Sequence, residues 1–122
     1  PLYPGTGAPE ECGGSGNIVN VGLPPGSGSR AFREAFARVL APAVDAFRPE
    51  LILVSAGFDG HARDPLAHLM LTEADFGWVT SALVDLAGVH SGGRLVSTLE
   101  GGYDLTALGL SVAAHVRALM DG

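Results

Sequence analysis

Apolar positions along the chain fall into two patterns. Residues 17–21 (NIVNV), 51–55 (LILVS) and 95–99 (LVSTL) are short runs of strand length, rich in β-branched and aliphatic side chains. The second is nearly all apolar, as a strand covered on both faces would be. Between the first two, residues 29–48 carry Phe32, Phe36, Val39, Leu40 and Phe47 at helical spacing, with Ser29 placed to cap the segment. Pro42 interrupts it, which predicts two helical pieces or a kink.

Two more helices follow. Thr72-Glu73-Ala74-Asp75 opens one as a capping box with Asp in the place of Glu or Gln, Phe76, Val79, Leu83 and Leu86 form its core face, and Gly88 is its stop. Asp104 caps a last helix whose apolar stripe is Leu105, Leu108, Val112, Val116 and Leu119. The order β-α-β-α-β-α predicts an α/β fold: a three-layer parallel sheet with right-handed crossovers and helices on both faces. Neither an internal repeat nor a second domain is visible.

Composition narrows the classes of function. At 122 residues and 47% hydrophobic, the chain can bury a core without disulfides or a structural metal. The net charge of −6, with seven scattered arginines and no lysine, excludes a phosphate-tracking face and so a nucleic-acid partner. No apolar run reaches the roughly 18 residues of a membrane span, and no signal peptide is legible, so no membrane partner is expected. Cys12 is the single cysteine, a bystander thiol that favours a reducing, cytoplasmic setting.

In open parallel sheets, ligands bind beyond the carboxyl ends of the strands. Two segments stand there: Ala56-Gly57-Phe58-Asp59-Gly60-His61, and Glu100-Gly101-Gly102-Tyr103-Asp104. By position alone Asp59 is as readily a turn former or helix cap, and Glu100-Gly101-Gly102 a tight turn with Tyr103 packed on the next helix. Asp59 and His61 are two apart and both are zinc-ligand types, but a catalytic zinc takes three protein ligands and no third has persuasive spacing. His68, His90 and His115 read as structural or exposed. The glycines of residues 4–16 run into a strand, not from a strand into a helix, and lack the P-loop Lys, so they are a weak match to a phosphate cradle.

Five collinear strings carry a resemblance. Leu2-Tyr3-Pro4-Gly5-Thr6-Gly7, Asn17-Ile18-Val19-Asn20-Val21, Ser55-Ala56-Gly57-Phe58-Asp59, Asp64-Pro65-Leu66 and Glu100-Gly101-Gly102-Tyr103 resemble the zinc-dependent histone deacetylase family. The resemblance is to the side of the family that holds the class II enzymes, bacterial deacetylase-like proteins and acetylpolyamine amidohydrolases, and it covers essentially the whole chain. It implies an arginase-like α/β sheet, with residues 1–122 as the C-terminal part of a single catalytic domain, and so an incomplete fold. By the same resemblance Asp59 binds zinc, and Tyr103 donates a hydrogen bond to the acetyl oxygen as it becomes an oxyanion. Tyr3, Leu66, Gly101 and Gly102 line the acyl-lysine tunnel. His61 is not a ligand in this family, so the Asp-x-His pairing is dropped.

The implied chemistry is metal-assisted amide hydrolysis with a histidine general base. The family's tandem His-His pair and its Asp-x-His ligands lie upstream of the stretch resembling residues 1–7. The chain thus supplies one metal ligand of three and is expected to be inactive alone, with an apolar sheet edge exposed and a tendency to aggregate. A one-histidine, two-carboxylate set accepts zinc or iron(II). The expected partner is an acetylated lysine peptide or a small acetylated amine; these motifs specify neither the physiological substrate nor an oligomeric state. Within enzymes the alternative is an acetylpolyamine amidohydrolase, which the negative charge suits but the apolar Leu66 does not. From another class comes a non-catalytic acyl-lysine binding module, and the blander rival is a Rossmann-like nucleotide binder.

Overall fold

The computed structural model describes residues 5–122. Helix α1 (Ser29–Ala35) runs through a π-helical turn (Phe36–Leu40) into α2 (Ala41–Phe47), followed by β1 (Ile52–Ala56), α3 (Glu73–His90), β2 (Leu95–Leu99) and α4 (Leu105–Met120). β1 and β2 pair in parallel, with Ile52 opposite Leu95 and Ala56 opposite Leu99. The β1–α3–β2 crossover is therefore as expected, and both strands end at the same edge.

The expected third strand is absent: residues 17–21 form no strand among the described residues, and Ile18 and Val19 are exposed. Their β-branched composition is suited to a strand, but propensity without a hydrogen-bonding neighbour does not make a ladder. The sheet is covered on one face only. Val54 and Ala56 of β1 and Ser97 of β2 point to the helices, while the opposite face leaves Leu53 71% and Val96 59% exposed. Leu53 and Val96 are directly opposite one another, so the bare face is a contiguous apolar patch. Three full layers with helices on both faces are thus not formed by these residues.

Pro42 has the foreseen effect. It cannot donate a backbone hydrogen bond and would press on the carbonyl four residues back; the π-helical turn before it widens the ladder so that Pro42 enters α2 in its first turn. Ser29 is not the cap of α1. Gly28 holds that position, and Ser29 Oγ instead donates to Asp75 Oδ2 at 2.6 Å. The capping box of α3 forms as read, with the Thr72 backbone N–H donating to Asp75 Oδ2 at 2.9 Å. Gly88 does not stop that helix, which continues to His90 before Gly92 and Gly93 turn with positive φ.

In α4 the buried stripe is Ala107, Ser111, His115 and Ala118. Of the expected stripe, Leu108 and Val112 pack on the core, whereas Leu105 and Val116 are exposed. The rotation follows from close packing of α4 on α3, where a Cβ at Gly77 would lie 3.6 Å from Ala114 Cβ, so small residues take the contact and larger ones flank it. The core centres on Ala56, Phe58, Leu71 and Phe76. Phe58 meets Phe76 and His115 edge-on, with ring centroids 5.1 and 5.6 Å away.

Candidate active site

The segment after β1 is held along its length. Phe58 is buried, its N–H donates to the Gly101 carbonyl at 2.8 Å, and the Leu71 N–H returns to the Gly60 carbonyl at 3.1 Å. Leu71, itself buried, thereby closes the loop onto the core. The loop after β2 is tied in turn by the Glu100 N–H to the Ala56 carbonyl at 2.9 Å. Residues that chemistry would use thus stand on two loops pinned to each other.

Asp59 follows the buried Phe58 and is half-buried. Its carboxylate lies against the backbone of Gly57 and Gly101: a Cβ on Gly101 would stand 3.2 Å from Asp59 Cγ, and one on Gly57 3.1 Å from Oδ1. Glycine at both positions leaves room for the carboxylate. No hydrogen bond engages it among the described residues, which sets it apart from the other carboxylates of the interior. An apolar groove of about 1060 Å3 runs between α1–α2 and β1, lined by Phe32, Phe36, Val54 and Phe58, and Asp59 is its single carboxylate.

Tyr103 is 57% exposed and its hydroxyl has no partner among the described residues. Its backbone is nonetheless fixed, because its N–H donates to Asp64 Oδ2 at 2.8 Å, and Asp104 caps α4 by accepting from the Ala107 N–H at 2.8 Å. Gly102, at φ +142, adopts a conformation that side-chain-bearing residues rarely take, and a Cβ there would meet Leu108 Cδ1 at 2.6 Å. Leu66 is half-exposed and shares a depression of about 810 Å3 with Gly5, Thr6, Gly7 and His68. Tyr3 lies outside the described residues.

His61 is occupied elsewhere. Its Nδ1 accepts from the Arg63 N–H at 3.1 Å, so in the neutral ring the proton sits on Nε2, which donates to Glu73 Oε2 at 2.9 Å. That hydrogen bond holds the Glu73 carboxyl below its ordinary value. Among the described residues no three His, Cys, Asp or Glu side chains gather as a metal would need. Asp64, by contrast, was missed as a site residue. Asp64-Pro65-Leu66 is noticed for its leucine, but the buried carboxylate accepts from both the Leu66 N–H and the Tyr103 N–H. The signal was an Asp before a Pro, a turn former whose side chain bonds the backbone two residues on.

Comparison with known proteins gives one consistent result. Residues 1–119 match the model of the histone deacetylase domain. The chain is 47% identical over 121 residues to "Histone deacetylase 10, chloroplastic" of Oryza sativa subsp. japonica, covering 97% of this chain and 27% of that protein. It is 45% identical over 103 residues to "Histone deacetylase-like amidohydrolase" of Pseudomonas aeruginosa, covering 82% of this chain and 27% of that one. Among solved structures, the histone deacetylase Clr3 superposes with a TM-score of 0.89 at 37% identity, over 98% of this chain and 20% of that chain. The chain thus spans less than a third of the length of these relatives.

Proposed function

This chain belongs to the histone deacetylase domain family, and on that premise we propose that it forms the carboxyl-end portion of a metal-dependent amidohydrolase that removes acetyl groups from acetylated lysine or a related acetylated amine. The observation that carries the reading is Asp59: a half-buried carboxylate at the strand ends with no hydrogen bond among the described residues, beside a loop that presents a phenol whose hydroxyl likewise has no partner among them.

The donor chemistry of Asp59 fits a share of a metal site. A carboxylate oxygen is a ligand for zinc and for iron(II), and an aspartate whose lone pairs are unspent is available for one. Three protein ligands are required, and the chain contributes one; the others belong to the upstream His-His and Asp-x-His stretches that the family resemblance implies. The chain by itself is accordingly inactive. When bound, the metal supplies Lewis acidity toward the acyl carbonyl and acidifies water.

The chain's own residues bind and orient. Tyr103 donates its phenolic proton in a hydrogen bond to the carbonyl oxygen as negative charge develops there, a contribution of about 3 kcal/mol to the barrier. Gly101 and Gly102 let the backbone approach the acyl group closely, and Leu66, with Tyr3, supplies an apolar wall suited to a neutral amide. An apolar wall offers no attraction to a polycation, which favours acyl-lysine over an acetylated polyamine.

The test is acetate release from an acetyl-lysine peptide by the full-length protein that carries this chain. Chelation abolishes turnover, and Tyr103→Phe lowers kcat roughly 100- to 1000-fold. Peptide binding without hydrolysis at any metal concentration would replace this reading with that of an acyl-lysine binding module.

A further inference from the structure

Asp64 is neither an expected metal ligand nor a wall of the substrate site, yet it is 7% exposed and both of its oxygens are engaged by backbone amides of residues placed in that site. Oδ1 accepts from the Leu66 N–H at 2.9 Å, and Oδ2 from the Tyr103 N–H at 2.8 Å, while its own N–H donates to the His61 carbonyl at 2.9 Å. We propose that Asp64 is a positioning residue that clasps the oxyanion donor Tyr103 to the tunnel wall Leu66, so that the two meet the substrate as one unit. The proposal rests on the deacetylase reading given above.

Three features point this way. Asp64 and Tyr103 lie 39 residues apart, on loops after different strands, so the contact is a long-range constraint and not local turn chemistry. Gly102, next to Tyr103, has no side chain with which to fix the Tyr103 peptide plane, and its φ of +142 is a conformation the rest of the loop must hold in place. On that side of Tyr103 the Asp64 oxygen is the fixing group; on the other side the Asp104 cap holds the start of α4. Because the phenol lies at the end of a side chain with two rotatable bonds, tilting this peptide displaces the hydroxyl by more than it displaces the backbone.

A carboxylate is the group this geometry demands. Both partners are N–H donors, so both oxygens must accept, and only an ionised carboxylate of this size does so. Asn in its place turns an NH2 toward one of the two amides, leaving that amide unpaired while preserving shape. Asp64→Asn therefore separates positioning from packing.

The experiment is a double-mutant cycle in the full-length protein, read as kcat on an acetyl-lysine peptide with bound metal measured alongside. Asp64→Asn lowers kcat about tenfold at unchanged metal content, because misplacement of a catalytic group by a fraction of an ångström acts on the transition state. In a Tyr103→Phe background the same substitution lowers kcat less than about twofold, since the group it positions is gone. Effects that multiply overturn the proposal, as does an Asp64→Asn enzyme with full kcat. Hydrogen exchange on the wild-type protein decides the matter if Asp64→Asn does not fold: the Leu66 and Tyr103 amides are both protected, and a Tyr103 amide exchanging at the rate of an open loop overturns the clasp. A Tyr103→Phe enzyme with unaltered kcat sinks the deacetylase reading instead, and exchange at the two amides still judges the clasp.

Discussion

Asp75 and Asp59 are carboxylates in the interior of the same small fold, and the molecule treats them in opposite ways. Asp75, 0% exposed, joins α1 to the start of α3 and is saturated: Ser29 Oγ and the Thr72 N–H donate to Oδ2, and Arg33 Nε donates to Oδ1 at 2.9 Å. Arg33 in turn lies over the Trp78 ring, 5.2 Å from its centroid. Burial pushes the Asp75 carboxyl up, but the hydrogen bonds and the guanidinium together outweigh it and hold the group below its ordinary value. Asp59, at the carboxyl edge of the strands, has glycine backbone on two sides and no donor among the described residues. A carboxylate whose lone pairs are all spent on the protein is architecture; one kept bare in a pinned loop is available to something the protein binds.

The contrast breaks most sharply with paired substitutions in the full-length protein. Asp59→Asn lowers kcat/KM by at least about 1000-fold, roughly 4 kcal/mol of barrier, while the urea midpoint of the metal-free protein stays where it was. Asp75→Ala does the reverse: it strands the half-exposed Arg33 together with the Ser29 hydroxyl and the Thr72 N–H, both in part-buried hydrogen bonds, costing about 3 kcal/mol of stability by urea titration. Gly102→Ala sits between these, because it strains a backbone at φ +142 and drives a Cβ into Leu108; loss of roughly 2 kcal/mol is expected, with kcat falling as the Tyr103 loop shifts.

The smallest effect concerns pH. His115 is buried between Thr80 and Ser97, and burial lowers its value below the ordinary 6.5. The Thr80 hydroxyl donates to the Phe76 carbonyl, so it accepts from His115 Nδ1, which leaves Nε2 to accept from Ser97. The fold therefore holds the neutral ring, and its contribution is present above pH 6.5 and is lost as pH falls through the depressed folded value. Urea midpoints that decline from pH 7 to pH 5 in the wild type, with a shallower slope in His115→Gln, check it.

Much of the positioning of the site was legible in the sequence because it rests on local rules. Apolar runs placed β1 within one residue and β2 to the residue, the Thr72–Asp75 box opened α3, and Asp104 capped α4. What escaped depends on partners distant along the chain. Ser29 has the chemistry of a cap, but a buried carboxylate 46 residues away claimed its hydroxyl. The stripe of α4 was assigned to its largest residues, whereas contact with α3 selected Ala, Ser and His. Residues 17–21 have strand composition without a strand to join. Asp64 was passed over for the same reason: its role is a contact between two loops, and no periodicity announces it.

The most direct test is the metal content and the metal-free melting temperature of Asp59→Asn and Asp75→Asn, measured side by side in the full-length protein. The account predicts that Asp59→Asn loses its metal and melts with the wild type, while Asp75→Asn keeps its metal and melts earlier. An Asp59→Asn protein that retains full metal, or that is destabilised as much as Asp75→Asn, contradicts it.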